Sequence, residues 1–214
     1  ALLPLRLEDR GARVILVDVI RAYHIIFCAY GFWLPNDPRG SWSDFVRQWE
    51  LLRFGDATKA NTRASLAHET HDRAQREAAK AALRYPAVQF TGMQARAIGR
   101  GFAEAKQKTG LVFYACSILP EHVHVVVERG MDPAERITRR CKAMATYHLQ
   151  CEALHPLAGF ATSRGRTPSP WSRGQWTVFL DSEATIYRAV EYVERNPMKE
   201  GKPPQRWSFV DRPW

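Results

Sequence analysis

Two histidines one residue apart, His122 and His124, open the segment HVHVVVE. β-Branched residues crowd this segment, so it reads as a strand, and successive strand side chains point to opposite faces. Val123, Val125 and Val127 share a face suited to a core, and His122, His124, Val126 and Glu128 share the other. Imidazoles at i and i+2 on one strand face stand close enough to hold one metal ion; the spacing fits two surface histidines on a half-exposed strand equally well. A second polar cluster lies in the last predicted helix. With Ile186 at zero on a helical projection, Val190 and Val193 fall within about 40° of it. Thr185, Arg188, Tyr192 and Asn196 gather about 240° round, which centres a tyrosine on a polar face with an amide one turn on. Such a tyrosine either serves chemistry or covers helix surface, whereas a packing tyrosine prefers the apolar stripe, as Tyr187 nearly does.

The elements that must position these groups follow from pattern. Residues 22–30, AYHIIFCAY, read as the first strand. The Pro35-Asn36-Asp37-Pro38 cluster marks a rigid loop after it, and residues 43–85 are polar and rich in Ala, Arg and Glu. Within that stretch residues 73–83 have helix propensity but a weak apolar stripe, which suggests a surface helix in an insertion spanning about 32–88. Residues 91–108 form a better amphipathic helix, stopped by Gly110. Strands 111–118 and 122–128, joined by Leu119-Pro120-Glu121, make a hairpin. Pro133 suits the first turn of a helix running to about Leu154, and a basic loop covers 155–175. A strand at 176–180 precedes the final helix, capped by Asp181 or Ser182 and expected to end near Asn196, because Pro197 disfavours helical geometry before it. The order predicts an α+β fold of ferredoxin-like type, an antiparallel sheet with helices, as one domain over 1–214.

With 214 residues, 45% hydrophobic and 25% charged, the chain has ordinary globular composition, which excludes collagen-like and wholly disordered classes. Lys and Arg number 31 against 22 Asp and Glu, a net charge of +9, so a polyanionic partner is expected. No run approaches the roughly 18 apolar residues of a membrane span, and residues 1–13 do not read as a signal peptide. Cys28, Cys116, Cys141 and Cys151 show no C-x-x-C spacing, which suits reduced thiols in a cytosolic protein. Arg136, Arg139, Arg140, Lys142, Arg164, Arg166 and Arg173 are candidate phosphate contacts, or a solvated basic face. Trp171 and Trp42 are candidate platforms for unpaired bases, or core anchors. His68 and His71, in HETH, have no third ligand nearby and are not read as a metal site.

Several of these segments together resemble one family. LPEHVHVVVE (119–128) looks like the His-hydrophobic-His, or HUH, motif of single-tyrosine DNA transposases. EYVERNPMKEG (191–201) is similar to the Tyr-x-x-x-Asn-Pro signature of the REP-associated tyrosine transposases. Residues 171–176 and QRWSFV (205–210) resemble that family's aromatic segment and tryptophan-containing tail. The resemblance covers about 20–31 and 90–210; the stretch from about 32 to 88 is longer than such proteins usually carry there. It implies an HUH endonuclease fold and cleavage and rejoining of single-stranded, hairpin-associated DNA through a covalent 5′-phosphotyrosine on Tyr192. His122, His124 and the Asn196 side-chain oxygen would be metal ligands. Two imidazoles lean toward transition metals and an amide oxygen with phosphate toward Mg²⁺ or Mn²⁺; the resemblance favours the latter pair. It further implies a cytoplasmic, nucleoid-associated prokaryotic protein and favours a monomer, with a dimer as the alternative; the lack of a long apolar run argues against a membrane partner. Two other classes compete. HUH replication initiators and relaxases share the chemistry but usually lack Asn-Pro after the tyrosine. A non-catalytic RNA-recognition-like domain would need exposed aromatics on its central strands, where this chain has histidines.

Overall fold

The computed structural model describes residues 20–32, 34–35, 46, 49–55, 57 and 72–213. Trp42, His68 and His71 lie outside the described residues. The strands are β1 (Ala22–Cys28), β2 (Phe113–Ile118), β3 (His122–Glu128) and β4 (Trp176–Leu180), and the helices are α1 (Arg73–Ala81), α2 (Gly92–Thr109), α3 (Ala134–Cys151) and α4 (Glu183–Lys199). The four strands form one sheet in the order β2-β3-β1-β4, every neighbouring pair antiparallel. This is the ferredoxin-like α+β order that the sequence predicts: β3 returns from the β2 hairpin to lie between β2 and β1.

Alternation along the central strands divides the core in two. Tyr23, Ile25, Phe27, Val123, Val125 and Val127 face α2 and α3, where they meet Ile98, Phe102, Ile137, Cys141 and Leu149. Ala22, Ala115 and Val126 face α4 and its buried stripe, Ile186, Val190 and Val193. Each fully buried Phe or Ile contributes about 1.5–3 kcal/mol, and both faces of β1 and β3 are covered, so these two strands are the stiffest part of the sheet. α2 and α3 cross at Gly101, where an added Cβ would lie 2.6 Å from the Ala145 nitrogen.

Local signals explain the element ends. Thr91 and Gln94 form a reciprocal capping box on α2, and Gly110 closes that helix in the left-handed conformation at φ 71°. Ser182 and Thr185 cap α4 in the same way. One boundary differs from expectation: α4 runs through Pro197 to Lys199 instead of ending near Asn196. Proline within a last turn forfeits a single backbone hydrogen bond, and Pro197 is buried, so its burial outweighs that loss. β2 starts two residues later than its apolar run, at a register irregularity between Phe113 and Ala115. In the stretch between β1 and α2, α1 and a 3-10 turn at Trp49–Phe54 hold a small separate cluster of Leu34, Leu51 and Ala79. Among the described residues no helix is long and apolar enough to cross a membrane.

Candidate active site

The polar face of β3 turns toward α4. Its register sets His124 opposite Ile26 of β1 and Ser117 of β2, and His122 opposite Cys28. The His122 and His124 rings lie 4.9 Å apart between centroids. β1 adds a third imidazole that the sequence reading did not single out: His24 Nε2 stands 3.0 Å from His124 Nδ1. His24 and His124 are both buried. Desolvation lowers the His24 pKa to about 4. Desolvation, followed by the charges of His122, His24 and Lys199, holds His124 well below the usual imidazole range. Both rings are therefore neutral at pH 7 and carry lone pairs rather than charge.

α4 brings the phenol over this face. Tyr192 lies with its ring 5.8 Å from His24 and 5.7 Å from His124, and 43% of its surface stays exposed. Desolvation, with a smaller push from the Glu200 carboxylate, raises its pKa above the ordinary phenol value. The Lys199 ammonium sits 4.3 Å above the same ring, and Glu200 Oε1 is 3.6 Å from His122 Nε2. Neither Lys199 nor Glu200 stood out in the sequence; the continuation of α4 past Pro197 is what carries them here. Asn196, one turn beyond Tyr192 on α4, is 6% exposed.

The unsatisfied polar atoms of this face call for an acceptor such as a phosphate oxygen, while the amide oxygen of Asn196 is the atom that suits a cation. Among the described residues Asn196 Nδ2 and Ser117 Oγ are buried without a hydrogen-bond partner, a costly state unless something polar joins them. Also among the described residues, no three His, Cys, Asp or Glu side chains converge as a closed metal cage. The imidazoles of His122 and His124 with the buried Asn196 amide make an open donor set, which fits a divalent cation that must keep positions for phosphate oxygens and water.

The predicted phosphate contacts scatter. Arg136 and Arg140 both pair with Asp132, Arg136 at 3.0 Å. Lys142 is turned inward: its ammonium donates to the carbonyls of Ser172 at 2.9 Å and Gly174 at 2.7 Å, and burial lowers its pKa to about 8. Trp171 is 5% exposed, packed on Phe27 and Phe90, with its indole N–H donated to Thr146 Oγ1 at 3.0 Å. Arg164 and Arg166 are exposed on the loop before β4. Arg139 and Arg173 are exposed and line a cleft of about 1270 Å³ that also borders Ile26 and Cys28. α3, which carries Arg136, Arg139, Arg140 and Lys142, packs on the face of the sheet opposite α4.

Comparison with solved structures gives several likenesses, two of which follow. One is to a REP-associated tyrosine transposase bound to a REP hairpin, 14% identical, TM-score 0.44, over 85% of this chain and 69% of that one. The other is to a candidate transposase from Deinococcus radiodurans R1, 11% identical, TM-score 0.36, over 81% of this chain and 88% of that one. No family model and no curated protein matches the chain.

Proposed function

We propose that this protein cleaves and rejoins single-stranded DNA by transferring a phosphodiester to Tyr192 and back, with a divalent cation held by His122, His124 and Asn196. The observation that carries the reading is the placement of the Tyr192 ring within 6 Å of the buried, neutral His124 ring. Tyr192 Oη gives up its proton to solvent and bonds to the scissile phosphorus, the bond to the 3′ oxygen breaks, and that oxygen takes up a proton and leaves as a 3′-hydroxyl. The 5′-phosphate stays on Tyr192, and because this ester retains the energy of the broken bond, a 3′-hydroxyl can reverse the step without ATP. The partial exposure of Tyr192 lets a strand reach it, while its raised pKa keeps it a weak nucleophile that needs help. When bound, Mg²⁺ or Mn²⁺ would supply charge stabilisation at the phosphate oxygens and orient the phosphate. His122, His124 and Asn196 hold their places because β3 is buried and α4 is capped and packed on it. A bare nucleic-acid-binding sheet is disfavoured, since α4 covers the sheet face that such domains leave open for bases.

The motif resemblance points to a hairpin with a single-stranded flank as the DNA to test. Incubation of the protein, Mn²⁺ and a 3′-end-labelled oligonucleotide of this form should give a labelled, SDS-resistant protein band. Mass spectrometry of the digested band should place the DNA 5′-phosphate on the peptide containing Tyr192. Strand scission without any covalent adduct would show direct hydrolysis and overturn the proposal.

A further inference from the structure

The contact between His24 and His124 assigns work to a residue that the metal-site reading leaves out. We propose that His24 is a positioning residue that presents His124 to a divalent cation through Nε2. The proposal rests on the reading of His124 as a ligand. One hydrogen bond links His24 Nε2 and His124 Nδ1 at 3.0 Å between two buried rings. A cation on Nδ1 of His124 would have to displace His24, so Nε2 is the nitrogen left to bind. A neutral imidazole offers a lone pair on only one nitrogen. For Nε2 to offer it, the proton must sit on Nδ1 and be donated to His24, whose own proton then sits on its Nδ1. His24 thereby sets both the tautomer and the tilt of His124, a role that carboxylates and backbone carbonyls fill behind most metal-bound histidines. His24 is not itself a ligand: its Nε2 is engaged, and among the described residues no third His, Cys, Asp or Glu completes a cage with His122 and His124. The same ring lies 5.8 Å from the Tyr192 ring, so His24 also underlies the phenol.

The test uses the full chain, free of metal and DNA, with His24→Gln, which keeps an acceptor oxygen, and His24→Leu, which keeps bulk but no acceptor. Long-range ¹H–¹⁵N spectra of the imidazoles at pH 8 should show His124 protonated on Nδ1 in the wild type and in His24→Gln, and released from that single tautomer in His24→Leu. Calorimetric Mn²⁺ titration should show affinity about 10–100-fold weaker in His24→Leu and largely retained in His24→Gln. A wild-type spectrum with His124 protonated on Nε2, or unchanged Mn²⁺ affinity in a folded His24→Leu, overturns the proposal. Should His24→Leu fail to fold, the wild-type spectrum still decides the tautomer. A wild type that shows the Nδ1–H tautomer yet binds no Mn²⁺ brings down the metal-site reading first, and the proposal with it.

Discussion

Replacing Tyr192 by Phe removes one oxygen and leaves the ring against His24 and His124 and beneath the Lys199 ammonium. Tyr192 is 43% exposed and lies outside the stripe of Ile186, Val190 and Val193, so the packing cost is small. Stability should change by no more than about 0.5 kcal/mol, a shift in melting temperature of roughly 2 °C or less. Catalysis should respond very differently, because no other hydroxyl of α4 stands over the imidazole pair. Loss of the nucleophile should lower cleavage by about 10³-fold or more, at least about 4 kcal/mol of barrier. Single-turnover cleavage of a 3′-labelled hairpin oligonucleotide with Mn²⁺ reads the rate, and an SDS gel reads the adduct. If Tyr192→Phe still forms the SDS-resistant band within tenfold of the wild-type rate, Tyr192 is not the nucleophile. Tyr187, 53% exposed and five residues earlier on the same helix, would be examined next.

Asn196→Ala should leave the fold intact, since the buried amide nitrogen it removes has no partner among the described residues, and should cost 10–100-fold in cleavage at low metal, partly recovered as Mn²⁺ is raised. Glu200→Gln should move the pH–rate profile to lower pH: the carboxylate raises the Tyr192 pKa, so removing its charge lets the phenolate form sooner, and an unmoved profile would show that Glu200 does not bear on the nucleophile. DNA affinity should fall with salt at a log–log slope of about −0.7 per phosphate neutralised, and the double change Arg139→Ala, Arg173→Ala should flatten that slope by about one to two units. An unchanged slope would place the strand away from the cleft that these two residues line.

The site was legible where a local rule decides geometry. Alternation at the start of HVHVVVE is enough to put His122 and His124 on one face, and the cap expected at Asp181 or Ser182 marks the start of α4, where Ser182 fills it. His24 escaped because nothing in AYHIIFCAY says which strand β1 will pair with; only the β1–β3 register, Ile26 against His124, brings its ring to the pair. Lys199 and Glu200 escaped for a different reason. The restraint that proline places on the residue before it predicts a helix that stops short of both, and the burial of Pro197 that overrides it has no local sequence signal. Trp171 looked like a base platform because arginines flank it in sequence, but its surroundings, Phe27, Phe90 and Thr146, come from β1, the segment before α2 and α3. Lys142 likewise reads as a surface charge until the loop before β4 folds its carbonyls over it.

The way the chain leaves α4 bears on how the nucleophile is held. After Lys199 the backbone turns back across the molecule rather than away from it. Gln205 pairs with the free edge of β2, accepting from the Ile118 N–H at 2.8 Å and donating to its carbonyl at 2.7 Å. Trp207 then lies so close to Gly99 of α2 that any side chain there would collide with its ring. Phe209 enters the core between Phe102 and Phe113, and Lys106 holds the Phe209 carbonyl at 3.0 Å and Asp211 at 2.5 Å. Arg212 closes the loop on Glu194 of α4 itself at 2.7 Å. α4 is thus tied at its start by the Ser182 cap and beyond its end by a tail wound over β2 and α2 of the same chain. Tyr192 consequently faces histidines of its own chain, and the distance between phenol and imidazoles is set by packing on both sides of the sheet. Loosening the tail, with Trp207→Ala as the direct means, should therefore depress cleavage by Tyr192 more than it depresses binding of DNA, because the strand can still dock while the helix that carries the phenol loses its registry over His124.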